Sequence, residues 1–127
     1  MKYLTLEEVL ELHDVLIEKF GGLKGVRDVN LLISAIETPK ATMFDEDLYP
    51  SVYEKAAAYL YHIVQNHPFN DGNKRTGFGV SYLFLRANKV SIIFDDIEYE
   101  DLVVEVAKGN ITKEQITYFF QYGKYKA

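Results

Sequence analysis

Between Asn66 and Phe78 the chain reads NHPFNDGNKRTGF, and within it the stretch from His67 to Arg75 brings together an imidazole, a carboxylate, a glycine and two adjacent cations. Each of these types has a task in phosphoryl chemistry. An imidazole titrates near pH 6.5 and accepts a hydroxyl proton at neutral pH, which suits His67 to the role of general base. Lys74 offers a point charge, and Arg75 a planar fork matched to phosphate oxygens. Gly72 leaves the backbone open to close approach. If a helix starts there, the amides of Gly72, Asn73, Lys74 and Arg75 also carry the positive end of its dipole, and the four residues make a cradle for a di- or triphosphate. Asp71 has the wrong sign for such a cradle unless a hard cation lies between. Mg²⁺ takes one or two carboxylates plus phosphate oxygens, so Asp71 is the metal candidate. Phe69, the only large apolar side chain inside the loop, is predicted to anchor it in the core. Asn70-Asp71-Gly72 is also ordinary turn chemistry, with Asp71 or Asn73 as a helix cap. It is the combination that points to function.

The other histidines carry less. His13 and His62 lie on largely apolar helices and are expected to be packed or half-exposed, and neither forms the His-Glu-x-x-His pair of a helix-borne zinc site. The ten tyrosines are scattered and read as core and rim residues, not as a base-stacking platform.

Helices must position this loop, and their starts are legible. Ser/Thr-x-x-Glu/Gln boxes occur at Thr5 with Glu8, Ser51 with Glu54 and Thr112 with Gln115. A first helix runs from Thr5 to Gly21-Gly22, and a second from Asp28 to a stop at Pro39. The segment from Pro39 to Pro50 reads as a connection. The helix from Ser51 ends before the motif, where Pro68 biases His67 away from helical geometry. Beyond Gly72, NKRTGFGVSYLFLRAN is apolar nearly all round, as in a helix buried in a bundle. VSIIF reads as a brief extended piece, Tyr99 to Lys108 as a fifth helix closed by Gly109-Asn110, and Thr112 opens the last. The fold expected is an all-α compact bundle of about six helices, a single domain over 1–127, with the motif loop leading into a buried central helix.

Bulk composition narrows the partners. A net charge of −5 argues against non-specific nucleic-acid or anionic-lipid binding, so any anion site is local. The absence of cysteine removes disulfides and thiolate zinc and fits a reducing cytosol. No run approaches the roughly 20 apolar residues of a membrane span, and the amino terminus lacks a cleavage site. A cytoplasmic protein without direct nucleic-acid binding is expected.

HPFNDGNKRT resembles the signature of the Fic/Doc superfamily, His-x-Phe-x-Asp/Glu-Gly-Asn-Gly/Lys-Arg, and in detail the Doc branch, the death-on-curing toxins. GVRDVNLLISAIETP and LYPSVYEKAAAYLYHIVQNHPF are similar to that branch as well. The resemblance implies a small helical bundle in which His67 activates a target hydroxyl, Phe69 anchors the loop, Asp71 accompanies Mg²⁺, and Gly72, Asn73, Lys74 and Arg75 hold the phosphates of ATP. Lys74 stands where AMP-transferring Fic members carry glycine, and Phe78 where they carry a second arginine. Both follow the Doc pattern, which the resemblance associates with transfer of the γ-phosphate to a Ser/Thr hydroxyl of a translation elongation factor. Gly72, where alanine is common in Doc relatives, points back to AMP transfer. A non-enzymatic binder of phosphate or nucleic acid is the alternative of another class. Fic relatives often carry an inhibitory Ser/Thr-x-x-x-Glu-Gly/Asn helix. Here the nearest match is Thr42 to Glu46, followed by Asp47, so the resemblance implies restraint in trans by a cognate antitoxin.

Overall fold

Local capping decides where the helices begin. In the computed structural model, which describes residues 1–124, the hydroxyls of Thr5, Ser51 and Thr112 each accept from the amide three residues on, while Glu8, Glu54 and Gln115 return a bond to the cap amide. These boxes open α1 (Leu6–Phe20), α3 (Val52–Asn66) and α6 (Lys113–Tyr122). Asp28 caps α2 (Val29–Glu37) through the Leu31 amide. Asp95 caps α5 (Asp96–Ala107) by accepting from Ile97 and Glu98, so α5 starts ahead of the predicted Tyr99. A side-chain acceptor, not the first core-facing aromatic, sets that boundary. Of the α-helices among the described residues, α4 (Asn73–Ala87) alone starts without a side-chain cap; its N-cap is Gly72. The predicted all-α bundle of about six helices is therefore what forms.

The connection between α2 and α3 has more structure than its composition suggested. Pro39 sits inside one turn of 3-10 helix, Thr38–Lys40. A small antiparallel hairpin follows, β1 (Thr42–Met43) with β2 (Glu46–Asp47), Thr42 opposite Asp47 and Met43 opposite Glu46. Its two turn residues, Phe44 and Asp45, have φ of 52° and 65°, the left-handed pair that a type I′ turn needs, without the Asn-Gly that usually signals one. Lys55 ties this hairpin down from inside the bundle. Its ammonium is buried and donates to Asp47 Oδ2 at 3.1 Å and to the Pro39 carbonyl at 3.4 Å. VSIIF forms no strand; it crosses the bundle irregularly, pegged by the buried ring of Phe94.

α3 lies at the centre, with every residue from Lys55 to Leu60 buried, and it packs against α2, α4, α5 and α6. α4 lies close against it because Gly77 has no side chain; a methyl there would come within 2.7 Å of Val64 Cγ2. The opposite side of α4 is open, with Lys74, Arg75, Leu83 and Arg86 exposed, and that openness lets its first turn meet solvent. One apolar cluster draws on all six helices. Among the described residues no helix is long and apolar enough to cross a membrane.

Where α6 meets α3, the Lys113 ammonium lies over the rings of Tyr49 and Tyr61, donates to Tyr49 Oη at 2.6 Å and faces His62 Nε2 at 3.2 Å. Burial, and then this cation, push the His62 pKa down from 6.5 to about 4. Below its ordinary pKa the unfolded chain binds a proton at His62 that the folded chain refuses, so stability falls as pH drops from 6.5 towards about 4. His62→Gln, which cannot charge, should lose less stability than the wild type over that interval. A difference of about 1–2 kcal/mol is expected after discounting for partial solvent screening, read from urea unfolding across the pH range. Parallel curves for the two proteins would refute the assignment.

Candidate active site

The site begins where α3 ends. His67 closes that helix in the left-handed region, at φ 49° and ψ 56°. Pro68 does keep His67 out of the right-handed helix, but the residue turns left-handed instead of taking the extended form usual before proline. This turn sends the chain back alongside residues 23–28. The Pro68 carbonyl accepts from the amides of Arg27 (2.7 Å) and Asp28 (3.1 Å), the Asn70 amide donates to the Gly25 carbonyl (3.1 Å), and Asn70 Nδ2 donates to the Lys24 carbonyl (3.0 Å). Val26 and Phe69 thereby form an isolated antiparallel bridge.

Phe69 is fully buried, as predicted for the anchor. Its ring stacks on His13 of α1, with centroids 3.8 Å apart and planes 7° from parallel. Burying the ring also buries its backbone, and Asn73 satisfies both groups: Oδ1 accepts from the Phe69 amide at 2.9 Å and Nδ2 donates to the Phe69 carbonyl at 3.0 Å. The sequence reading puts Asn73 in the phosphate cradle through its main-chain amide; its side chain is committed to this clasp through both Oδ1 and Nδ2. Its main-chain amide has no acceptor among the described residues and is available to an anion.

His13 belongs to the buried stripe Val9, His13, Ile17 and lies 2.8 Å through Nε2 from the Asp71 carbonyl. A carbonyl only accepts, so Nε2 carries the proton. Asp71 Oδ1 accepts from the Gly72 amide at 2.9 Å and Oδ2 from the Leu23 amide at 3.2 Å. Gly72 has φ 76°, and a methyl there would lie 3.1 Å from Ile17 Cδ1, so glycine has a conformational and packing reason at this position.

These constraints aim the start of α4 into a cleft of about 1000 Å³ whose lining includes His67, Asp71, Gly72, Asn73, Lys74 and Arg75. The predicted set is thus brought together, Phe69 serving from beneath. The first intrahelical bond runs from the Thr76 amide to the Gly72 carbonyl at 2.9 Å, so the amides of Asn73, Lys74 and Arg75 have no acceptor among the described residues. Neither Lys74 nor Arg75 has a carboxylate at ion-pair distance there. Arg75 instead lies over the Phe20 ring, 4.7 Å from its centroid, which orders the guanidinium while leaving its donors free. α5 contributes Glu100, Val103, Val104 and Ala107 to the cleft.

Among the described residues no group of three or more His, Cys, Asp or Glu side chains could hold a metal ion by itself. Asp71 keeps acceptor capacity on both oxygens beyond the two amides. It therefore fits a Mg²⁺ that arrives with phosphates, the usual way this ion is bound, and does not fit a metal caged by protein alone.

Sequence reasoning expected His13 to be packed or half-exposed, and it is buried, but it assigned none of His13, Phe20 and Glu100 to the site. For His13 a signal existed, because a histidine in register with a buried helical stripe needs a polar partner. Phe20 and Glu100 lack any local pattern; only the packing of α1 and α5 around α4 brings them to the cleft.

A model of the Fic/DOC family matches residues 3–85, which takes in the motif loop, α4's first turn and all of the cleft lining except the α5 wall. The chain is 42% identical over 117 residues to "Toxin Doc" of Mycolicibacterium smegmatis, covering 91% of this chain and 88% of that protein. It is 36% identical over 116 residues to "Protein kinase doc" of Escherichia phage P1, covering 91% of this chain and 90% of the relative.

The Asn73 clasp separates a structural role from a ligand-binding one. Asn73→Ala leaves the buried amide and carbonyl of Phe69 without partners and should lower unfolding free energy by about 2–4 kcal/mol, taking 1–2 for each orphaned group. Urea denaturation checks this. An unchanged midpoint with weakened nucleotide binding would instead put the side chain in the cradle.

Proposed function

The chain belongs to the Fic/DOC family, and from that premise we propose that it is the toxin of a toxin–antitoxin pair, a cytoplasmic enzyme that transfers the γ-phosphate of ATP to a Ser/Thr hydroxyl of a translation elongation factor and so arrests protein synthesis. One observation carries the proposal. At the start of α4 two unpaired cations and three unpaired amides face the same cleft as an exposed imidazole, in a protein whose net charge is −5. Such an anion site is matched to the charge that develops on a transferring phosphoryl group.

In this reading the amides of Asn73, Lys74 and Arg75 and the Lys74 and Arg75 side chains hold the nucleotide phosphates, while Gly72, whose amide is bonded to Asp71, keeps the approach open. His67 takes the proton of the target hydroxyl, the hydroxyl oxygen bonds to the γ-phosphorus, the bond to the bridging oxygen breaks, and ADP leaves. Mg²⁺ accompanying the phosphates at Asp71 supplies charge compensation. The relative named as a protein kinase favours γ-transfer over AMP transfer. So does Phe78, whose ring stacks on Tyr99 at 4.0 Å while its carbonyl accepts from Tyr99 Oη at 2.7 Å, leaving that position without a cation. Gly72, which the resemblance sets on the AMP-transfer side, is already accounted for by its φ and its contact with Ile17.

ATP labelled on either the γ- or the α-phosphate, incubated with the protein and a cell extract, separates the two reactions. Label should enter a single elongation factor, identified by mass spectrometry, from the γ-position only, and EDTA should stop it. His67→Ala and Arg75→Ala should each lower the rate by at least about a hundredfold. Label arriving from the α-position alone would replace the kinase with AMP transfer. Binding of nucleotide without any transfer, unchanged by His67→Ala, would leave a phosphate-binding module.

Restraint is proposed to come from a cognate antitoxin. The nearest match to the family's inhibitory helix, Thr42 to Glu46, lies across the β1–β2 hairpin and is not helical. Co-expression with the neighbouring reading frame should give a complex on size-exclusion chromatography and relieve growth arrest. A chain that is harmless alone and never co-purifies with that neighbour would refute the pairing.

A further inference from the structure

His67 owes its place entirely to the backbone. Its imidazole is exposed and, among the described residues, has no hydrogen-bond partner, so nothing grips the ring itself. Most general-base histidines are held by a bond to the second ring nitrogen. Here orientation rests on one left-handed residue followed by proline, a combination that the chain does not adopt unless its surroundings impose it.

Those surroundings converge on Arg27. Its Nε donates to the His67 carbonyl at 2.6 Å and its Nη2 to the Asn66 carbonyl at 2.8 Å, while its own amide donates to the Pro68 carbonyl at 2.7 Å. A single residue therefore binds three consecutive carbonyls, those before, at and after the left-handed turn. The first two stand at the C-terminal end of α3, where carbonyls lack intrahelical partners and the helix dipole is negative, so a cation is favoured there. Only a guanidinium presents two donors in the fixed fork that reaches adjacent carbonyls together; an ammonium reaches them as a point charge. No carboxylate lies at ion-pair distance from Arg27 among the described residues.

We propose that Arg27 is the positioning residue for His67, locking the carbonyls on either side of the left-handed turn so that an otherwise unheld imidazole faces the phosphates at the start of α4. The inference rests on the reading of His67 as the base. Arg27 does not itself line the cleft and reaches it only through the main chain at His67, away from the amides and side chains of the cradle, so its loss should act on turnover and not on nucleotide binding.

The test uses Arg27→Met, which keeps the stem and removes the fork, and Arg27→Lys, which keeps the charge. In the free protein, the three-bond coupling between the His67 amide and α-protons and the His67 carbon shifts report the left-handed φ without requiring activity. The expected result is loss or averaging of that signature in Arg27→Met, a kcat about a hundredfold lower with KM for ATP within about twofold of wild type, and intermediate values of both in Arg27→Lys. Should Arg27→Met fail to fold, Arg27→Lys decides by the same two readouts. A left-handed signature and kcat both unchanged would overturn the proposal, as would a fall in kcat with the signature intact. If the wild type transfers nothing to any protein, the proposed function fails, and the His67 signature alone then upholds or refutes the Arg27 lock.

Discussion

Burying the Phe69 ring is the constraint from which the rest of the site follows. An aromatic ring can enter the core from a loop only by drawing its own amide and carbonyl out of water, and both must then find partners. Asn73 provides them with one side chain, four residues on, at the first position of α4. The consequence reaches the helix start. The asparagine at the start of α4 is committed to Phe69, and the Asp71 carboxylate is turned towards the amides of Leu23 and Gly72. The next three amides are left pointing outward, so the clasp that fixes the loop also creates the unsatisfied anion site.

A second layer keeps that loop from relaxing. Residues 22–28 run beside residues 66–71 and exchange main-chain bonds with them, with Gly22 close enough that a methyl would come within 2.8 Å of Asp71 Oδ2. From the other side His13 both stacks on Phe69 and holds the Asp71 carbonyl. The loop is thus pinned from α1, from the segment after α1 and from α4 itself. Electrostatics is equally local. Acidic residues outnumber basic ones nineteen to fourteen, yet none lies at ion-pair distance from Lys74 or Arg75 among the described residues. A chain that repels anions as a whole can keep one positive corner because screening limits the reach of the exposed acids to about 10 Å.

What the sequence revealed and what it hid divide along the range of the interactions. Capping boxes act over three residues, so Thr5, Ser51 and Thr112 announced their helices, and the motif residues, being consecutive, announced their cleft. The hairpin at 42–47 was hidden because Phe44 and Asp45 adopt left-handed φ without the residues that favour it; the buried Lys55 ammonium, eight residues on, ties its Asp47. The Asn73 side chain's clasp was hidden for a related reason: asparagine at a helix start suits a cap, a ligand or a clasp, and only burial of its neighbour decides among them. His13 and Arg27 reach the loop from 58 and 40 residues away, and no local pattern encodes such pairings.

The distribution of strain along the chain follows the same logic. Five of the six helices have side-chain caps, each worth about 1 kcal/mol, and α4 forgoes one. His67 holds a left-handed conformation before proline, and Gly72, five residues later, is left-handed too. Strain of this kind, of order 1–3 kcal/mol for a residue such as His67, persists only where neighbours over-determine it. The neighbours here are the most enclosed parts of the bundle: the buried length of α3 that precedes His67, the Gly77–Val64 approach that fixes α4 against it, and the Phe69 ring between them. A bundle of this size has a margin of only about 5–15 kcal/mol, so it cannot carry many such turns. Phe44, Asp45 and Lys89 take positive φ elsewhere, but His67 and Gly72 fall within six residues beside the start of α4, which has no side-chain cap, so the well-packed helices stabilise a loop that would not hold its shape alone.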